Sequence, residues 1–152
     1  MNDPFSDKTS RNSMEYKLDI EPSGKDINEV RDGLIRHNTP FLEGIPKSKV
    51  AYYAMEGDNK VGGIIADLWG NWLLIKFLWV DDSMRGKQVG SELLKLVEKY
   101  AHSQGCTSSL VDTLSFQAKP FYEKHGYQCQ MVLENYPLDS SLAFLTKSLI
   151  EQ

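Results

Sequence analysis

A basic, glycine-rich loop follows the most apolar segment of the chain. Residues 80–91 read VDDSMRGKQVGS, and an amphipathic helical pattern begins directly behind them. The first N–H groups of a helix lack an intrahelical partner and carry a partial positive charge. Gly86 and Gly90 allow a ligand to approach the backbone closely, while Arg85 and Lys87 add positive charge. The segment therefore predicts a site for an anion such as a diphosphate.

Several other kinds of site are excluded by the same sequence. It contains neither G-x-x-x-x-G-K-[ST] nor G-x-G-x-x-G, which excludes a nucleotidase phosphate loop and a dinucleotide-binding turn. Cys106 and Cys129 form no C-x-x-C pair and no Cys/His set, so we expect no metal site. The net charge of −4 disfavours a nucleic acid or an anionic membrane as partner.

A mixed alternation of strands and helices must position the loop. The 152 residues suffice for one domain, which we expect at 14–152 behind a polar tail at 1–13. The apolar run at 72–80 predicts a central strand buried on both faces, followed by a parallel crossover helix. The order predicts an α/β fold with a mostly antiparallel sheet of six or seven strands. Strands are expected at 14–20, 49–56, 60–68, 72–80, 108–114, 127–135 and 142–149, and helices from Ser23 to the residues before Pro40, at 91–104 and at 117–125.

Two segments resemble one enzyme family. The sequence RGKQVG at 85–90 resembles the R-x-x-G-x-G/A acyl-CoA loop of the GNAT family of N-acetyltransferases. The sequence AKPFYEKHGY at 118–127 is similar to the A-x-x-x-Y-E-K-x-G-F/Y segment of that family. Gln88 departs from the usual glycine, so a left-handed conformation there would cost about 1–2 kcal/mol. Ser115 stands where the family frequently has an asparagine.

This resemblance implies a fold, a reaction and a set of site residues. The family's sheet has helices on both faces, and its central parallel strand pair splays apart to admit acetyl-CoA. The enzyme would transfer an acetyl group to a primary amine, and Tyr122 would be the general acid. The backbone around Gln88–Ser91 would bind the pyrophosphate, and the edge at Leu78–Val80 would pair with the pantetheine arm. The acyl-CoA-binding residues implied are Leu78, Trp79, Val80, Arg85, Gly86, Lys87, Gln88, Val89, Gly90, Ser91 and Ser115.

The sequence does not single out a general base or an acceptor. Asp67, Asp81 and Asp112 are candidate bases, and each also suits a surface or capping role. Lys76 is unusual in a buried strand, and it either lines the acceptor channel or reaches solvent from an edge. The three tryptophans at 69, 72 and 79 are expected mostly in the core. Side chains considered for the acceptor pocket are Phe41, Trp69, Phe116, Glu43 and Glu56.

Other functions remain open beside acetyl transfer to a small-molecule amine. The same fold could act on protein amines, could bind acyl-CoA without catalysis, or could be an interaction domain whose loop binds no phosphate. We expect a cytoplasmic protein that binds neither nucleic acid nor membrane. The oligomeric state stays open between a monomer and a homodimer, since edge strands invite pairing.

Overall fold

The computed structural model describes residues 13–150, and most of them lie in regular elements. Contacts divide the chain into two compact units, one ending at Gly44 and the other beginning at Ile45. Helix α1 belongs to the first unit and all other elements belong to the second. The helices are α1 (Gly24–Leu42), α2 (Val89–Ser103) and α3 (Lys119–Lys124), and a 3-10 turn spans Asp82–Met84. The strands are β1 (Lys47–Glu56), β2 (Asn59–Trp69), β3 (Trp72–Val80), β4 (Ser108–Leu114), β5 (Gln128–Glu134) and β6 (Ser141–Ser148).

The strands form one mixed sheet in the order β1-β2-β3-β4-β6-β5. Neighbours pair antiparallel except β3 and β4, which are parallel and joined by α2. The predicted fold class is therefore confirmed, with six strands and one parallel pair. The predicted bounds of β3 and β4 match the structure, because turn residues at both ends limit each apolar run.

The parallel pair opens soon after it begins. Only Trp72–Leu74 pairs with β4, although β3 continues to Val80. On its other side, β3 has a bulge, since Ile65 pairs with Phe77 while Ala66 pairs with Ile75. Lys76 is the extra residue of this bulge, and a bulge bends its strand locally. The opening therefore starts at Ile75, before the predicted Leu78.

Helix α2 packs its apolar stripe against β1, β2 and β3. Leu93, Leu94, Val97 and Ala101 are buried on it, together with Ile64 from β2 and other strand residues. Burying a large aliphatic side chain contributes roughly 1.5–3 kcal/mol, so this contact holds the helix firmly. The start of α2 is thereby held close to the end of β3.

Two predictions for the first unit are wrong. Residues 14–20 form no strand, and the alternating side chains of Tyr16, Leu18 and Ile20 are exposed. Alternation indicates which face a strand could bury, but a strand also needs a partner to be stable. Pro40 does not end α1, which continues to Leu42 while the Glu43 N–H donates to the Thr39 carbonyl. The proline removes one hydrogen bond near the end of the helix, where the neighbouring bonds persist.

The prediction that β3 is buried on both faces is also wrong. Phe77 is 70% exposed and Trp79 is 52% exposed, while Leu73 and Ile75 are buried. The continuous apolar run predicts burial, yet the short pairing with β4 leaves the far half of the strand open on one edge. Trp69 and Trp72 are likewise about 40% exposed, so the tryptophans do not form the core.

Candidate active site

The loop between β3 and α2 is shaped by its own side chains and by two left-handed residues. Asp81 caps the 3-10 turn by accepting from the Ser83 backbone N–H at 3.0 Å and from the Ser83 hydroxyl. These hydrogen bonds, the hydroxyl first, lower the pKa of Asp81. Gly86 has φ +77, and Gln88 immediately precedes α2 with φ 59. Gln88 therefore adopts a left-handed conformation, which costs a non-glycine residue about 1–2 kcal/mol.

The loop borders a cavity of about 520 Å³ that we call the loop cavity. Its lining includes eight of the acyl-CoA-binding residues that the resemblance implied, and four residues that the sequence did not indicate. The eight are Leu78, Val80, Arg85, Gly86, Gln88, Val89, Gly90 and Ser91, and the four are Asp82, Met84, Ala118 and Phe121. Ala118 and Phe121 lie in the second family-like segment, so its pattern could have indicated them.

Three implied residues lie elsewhere in the described part of the chain. Trp79 lines a neighbouring cleft, whereas Lys87 and Ser115 line neither cavity. Ser115 instead links two strands, because its N–H donates to the Ser141 carbonyl at 2.8 Å. Arg85 lines the loop cavity but pairs with Asp82 at 3.1 Å, and both side chains are more than 80% exposed.

A glycine of β2 allows the start of α2 to lie close to the sheet. A Cβ on Gly62 of β2 would lie 3.1 Å from the Trp79 carbonyl oxygen and 3.3 Å from Val89. A Cβ on Gly90 would meet the Phe121 ring at 3.5 Å, an ordinary contact. The missing side chain at Gly62 thus permits the approach of helix and sheet.

The first turn of α2 is also tied to the end of α3. The Ser91 hydroxyl and the His125 Nε2 are 2.8 Å apart, and the Phe121 and His125 rings lie 4.8 Å apart. Burial lowers the pKa of His125. The sequence placed His125 at a helix end, but this contact across 34 residues could not be predicted from local pattern.

A second cavity of about 260 Å³ occupies the opening between β3 and β4, and we call it the strand cleft. Leu78 and Ala118 line both cavities, so the two are neighbours. One of the three candidate bases, Asp112, lines this cleft. The cleft residues are Ile75, Lys76, Phe77, Leu78, Trp79, Val111, Asp112, Thr113, Gln117, Ala118 and Tyr122.

Tyr122 is the buried hydroxyl-bearing aromatic of the strand cleft. Tyr122 is only 4% exposed. Burial, and to a lesser extent the charge of Asp112, raises the pKa of its hydroxyl to about 12. Its hydroxyl makes no hydrogen bond within residues 13–150, and no side-chain oxygen or nitrogen there is both buried and unpaired. The hydroxyl therefore reaches the open space of the cleft.

The short helix α3 holds Tyr122 in this position. The Ala118 N–H donates to the Thr113 hydroxyl at 3.2 Å, and Pro120 occupies the first turn, where its missing N–H costs nothing. The Tyr122 ring packs edge-on against Phe121 at 5.2 Å and against Tyr127 at 5.5 Å. The side chain is thus fixed by contacts on two sides.

The other candidate side chains lie outside the strand cleft. Asp67 pairs with Lys49 at 3.3 Å, and Asp81 serves as a cap. Phe41 belongs to α1 in the first unit, and Phe116 is 70% exposed outside both cavities. Across 13–150 no three Asp, Glu, His or Cys residues are grouped as a metal would require. In the same range no helix combines the length and apolarity needed to cross a membrane.

The family model described as acetyltransferase (GNAT) matches residues 17–127 of the chain. The chain belongs to the GNAT acetyltransferase family. It is 33% identical to the blasticidin-S acetyltransferase of Streptomyces morookaense over 132 residues, which cover 84% of this chain and 97% of that protein. The predicted family and enzyme class are thus confirmed.

Solved structures agree with this GNAT assignment. An acetyltransferase from Bacillus cereus superimposes with a TM-score of 0.78 and 32% identity, covering 87% of this chain and 97% of that chain. An aminoglycoside 6′-N-acetyltransferase complexed with coenzyme A has a TM-score of 0.63 and 21% identity, covering 86% and 83%. At that identity the second likeness shows the fold alone.

Proposed function

We propose that residues 14–152 transfer an acetyl group from acetyl-CoA to a primary amine of a small molecule, with Tyr122 as general acid. The observation that carries this proposal is that the loop cavity and the strand cleft lie side by side and share Leu78 and Ala118 in their linings. One end is formed by the start of a helix, and the other holds the Tyr122 hydroxyl. A long molecule with a diphosphate and a thioester matches this arrangement.

The donor would be held mainly by backbone groups. The first N–H groups of α2 and the adjacent Gln88 would bind the pyrophosphate oxygens, since they face the anion with a favourable dipole. Beyond Leu74, β3 does not pair with β4, so its edge is available to an extended, amide-bearing chain. The pantetheine arm would add to β3 as a short strand around Leu78–Val80.

The reaction would proceed by direct attack of the amine. An alkyl amine with a pKa near 10.4 is neutral in about one molecule in 2,500 at pH 7, which costs about 4.6 kcal/mol. Once neutral, the nitrogen forms a bond to the thioester carbon, and the carbon–sulfur bond breaks. Tyr122, protonated throughout the neutral range, donates its hydroxyl proton toward the leaving sulfur.

The raised pKa of Tyr122 limits how far that proton moves. An ordinary thiol has a pKa near 8.5, so complete transfer from a group at about 12 is uphill by about 5 kcal/mol. The hydroxyl therefore acts mainly as a hydrogen-bond donor to the charge that develops on sulfur. Solvent protonates the released thiolate afterwards.

A small-molecule acceptor is supported by one relative that spans nearly the same length. The blasticidin-S acetyltransferase is, by its name, an enzyme that modifies an antibiotic, and it aligns over 84% of this chain. The strand cleft, at about 260 Å³, has room for one amine-bearing group.

Thiol release measures the proposed reaction directly. The purified full chain is incubated with acetyl-CoA and either a panel of small amines or a panel of peptides with free N-termini or lysines. We expect amine-dependent release of thiol with members of the first panel. Stabilisation by acetyl-CoA in a thermal shift assay, without release in either panel, would favour a non-catalytic module. Release with peptides alone would assign the enzyme to protein substrates.

A further inference from the structure

The strand cleft contains two charged side chains of opposite sign, and this inference rests on the proposed function of that cleft. Asp112 enters from β4 and Lys76 from the bulge of β3. Tyr122 is the third titratable group of its lining. Whatever molecule occupies the cleft therefore meets a carboxylate and an ammonium beside the proposed general acid.

Asp112 is the one candidate carboxylate that is not engaged elsewhere. Asp67 pairs with Lys49 at 3.3 Å, and Asp81 accepts from Ser83. Asp112 makes no ion pair and no side-chain hydrogen bond within residues 13–150, and Lys76 is not within ion-pair distance of it. A carboxylate at the edge of an apolar opening is stabilised by a positively charged guest.

Asp112 lies in the same cleft lining as Tyr122. Its charge acts on the Tyr122 hydroxyl and reinforces the effect of burial there. Strand alternation places the buried Val111 and Thr113 on the opposite face from Asp112, which is exposed. Because both residues line the strand cleft, a group bound there by Asp112 would share that cavity with Tyr122.

We propose that Asp112 binds the acceptor through a positively charged nitrogen and so selects amines that are protonated in solution. The substrate class is then a cationic alkyl amine or polyamine, and neutral arylamines gain nothing from Asp112. A carboxylate stabilises the ammonium form, so Asp112 recruits the acceptor and does not remove its proton. The ammonium loses one proton to water, and the nitrogen lone pair then attacks the thioester carbon. The carbon–sulfur bond breaks with release of CoA thiolate, and the nitrogen, now part of the amide, loses a second proton to water.

Lys76 makes it possible to test whether the charge of Asp112 is what favours cationic acceptors. It lies in the same cleft with the opposite charge, so it opposes the entry of a cation. Neutralising Asp112 should therefore lower kcat/KM for a cationic acceptor, and neutralising Lys76 should raise it. A merely structural contribution of either residue would not produce opposite signs.

The experiment compares Asp112→Asn, Asp112→Glu, Lys76→Met and wild type in the full chain. The acceptors are alkyl mono-, di- and polyamines, protonated at neutral pH, and arylamines and hydroxylamine, which are neutral there. Asp112→Asn should lower kcat/KM for the cationic acceptors about 10- to 100-fold, mainly through KM. Its kcat/KM should fall much less for neutral acceptors than for cationic ones, and its Kd for acetyl-CoA should stay within about twofold of wild type. Asp112→Glu should recover part of the loss, and Lys76→Met should lower KM for cationic acceptors several-fold.

Asp58→Asn is the matched control, because Asp58 is an exposed carboxylate in the β1–β2 turn and lines neither cavity. It should leave both acceptor classes unchanged. A second readout is the binding of spermidine to the CoA-loaded protein by calorimetry. Its affinity should fall with added salt in wild type and be weak and less salt-dependent in Asp112→Asn.

Each outcome decides one proposal. An equal loss for both acceptor classes, no loss for cationic ones, or a preference of wild type for neutral amines would overturn the role of Asp112. Detectable acetyl-CoA binding and amine transfer in those cases would leave the proposed function standing. A wild-type chain that neither binds acetyl-CoA nor releases thiol would instead overturn the proposed function and this inference together.

Discussion

Two buried tyrosines, five residues apart, have different surroundings. Tyr122 and Tyr127 are 4% and 3% exposed, and their rings meet edge-to-face at 5.5 Å. The Tyr127 hydroxyl lies 2.8 Å from the Ser109 hydroxyl and donates to the Glu98 carboxylate at 2.8 Å. The Tyr122 hydroxyl has no such partner within residues 13–150. Burial is therefore common to both tyrosines, and the difference between them is that the Tyr122 hydroxyl is left open to a cavity.

The same contrast appears in the charges around the two rings. Glu98 accepts from Tyr127 through one oxygen and from Lys147 through the other, each at 2.8 Å. This network links α2, β4 and β6 around the hydroxyl of Tyr127, the residue before β5. Burial raises the pKa of both tyrosines, but the carboxylate near Tyr122 belongs to an open cleft. One ring is thus part of the support, and the other is available to a substrate.

The largest expected effect separates the two tyrosines by activity. Tyr122→Phe should lower kcat by about 100-fold or more, within the range of general-acid catalysis. Its free energy of unfolding and its Kd for acetyl-CoA should change little, because the hydroxyl has no protein partner to lose. Steady-state thiol release, titration calorimetry and urea unfolding measure the three quantities. A loss of less than about fivefold in kcat would remove Tyr122 from the reaction.

The pH dependence of stability gives the second effect. Burial raises the folded-state pKa of Tyr122 to about 12, above its ordinary value of 10.0, so the native state holds the proton more tightly. Its stabilising contribution is complete below pH 10 and is lost as the pH rises from 10 to 12. Between those values wild type should lose up to about 3 kcal/mol more than Tyr122→Phe. Urea unfolding at a series of pH values tests this, and parallel curves would contradict it.

The third effect belongs to the supporting tyrosine. Tyr127→Phe removes both hydrogen bonds of the hydroxyl and leaves Ser109 and Glu98 poorly satisfied, which should cost about 1–3 kcal/mol of unfolding free energy. Its kcat should fall far less than that of Tyr122→Phe. Parallel urea and activity measurements on the two variants complete the comparison. If Tyr127→Phe unfolds like wild type but loses activity, the assigned roles are reversed.

The smallest effect concerns the donor end of the site. Gly62→Ala places a Cβ 3.1 Å from the Trp79 carbonyl oxygen and 3.3 Å from Val89, which should displace the start of α2. We expect a several-fold weaker affinity for acetyl-CoA, about 1 kcal/mol less stability and an unchanged kcat at saturation. Gly63→Ala is the matched control, since its Cβ would meet its nearest neighbour at 3.4 Å. Equal affinities in both variants would show that this approach does not shape the loop cavity.

Much of the fold follows from local pattern. The helix face of α2, the Ser23 cap of α1 and the bounds of β3 and β4 depend on residues that are near in sequence. Such interactions are set by periodicity and by capping chemistry. The errors arise where a distant partner decides. Residues 14–20 alternate like a strand but have no partner, and Trp79 belongs to an apolar run whose outer half is paired with β2 but not with β4.

The same distinction between local pattern and distant contacts applies to the candidate site. Two short motifs were enough to predict the loop before α2 and Tyr122 as candidate site residues. Each motif includes the residues that form its own turn or helix start. The Ser91–His125 contact spans 34 residues, and the approach at Gly62 joins separate elements, so no local pattern contained them. Asp112 could be named as one of three candidate bases, but its selection required the cleft lining.

Sequence alone was sufficient to determine the basic turn before α2, its helix and the residue types available for chemistry, because these depend on neighbours within a few positions. Tertiary structure decided that β3 bulges at Lys76 and separates from β4 after Leu74. It also decided that Asp112 and Tyr122 line one cleft while Tyr127 is locked in a network. Which strands meet, and where they part, is set by long-range packing that no stretch of this chain specifies by itself.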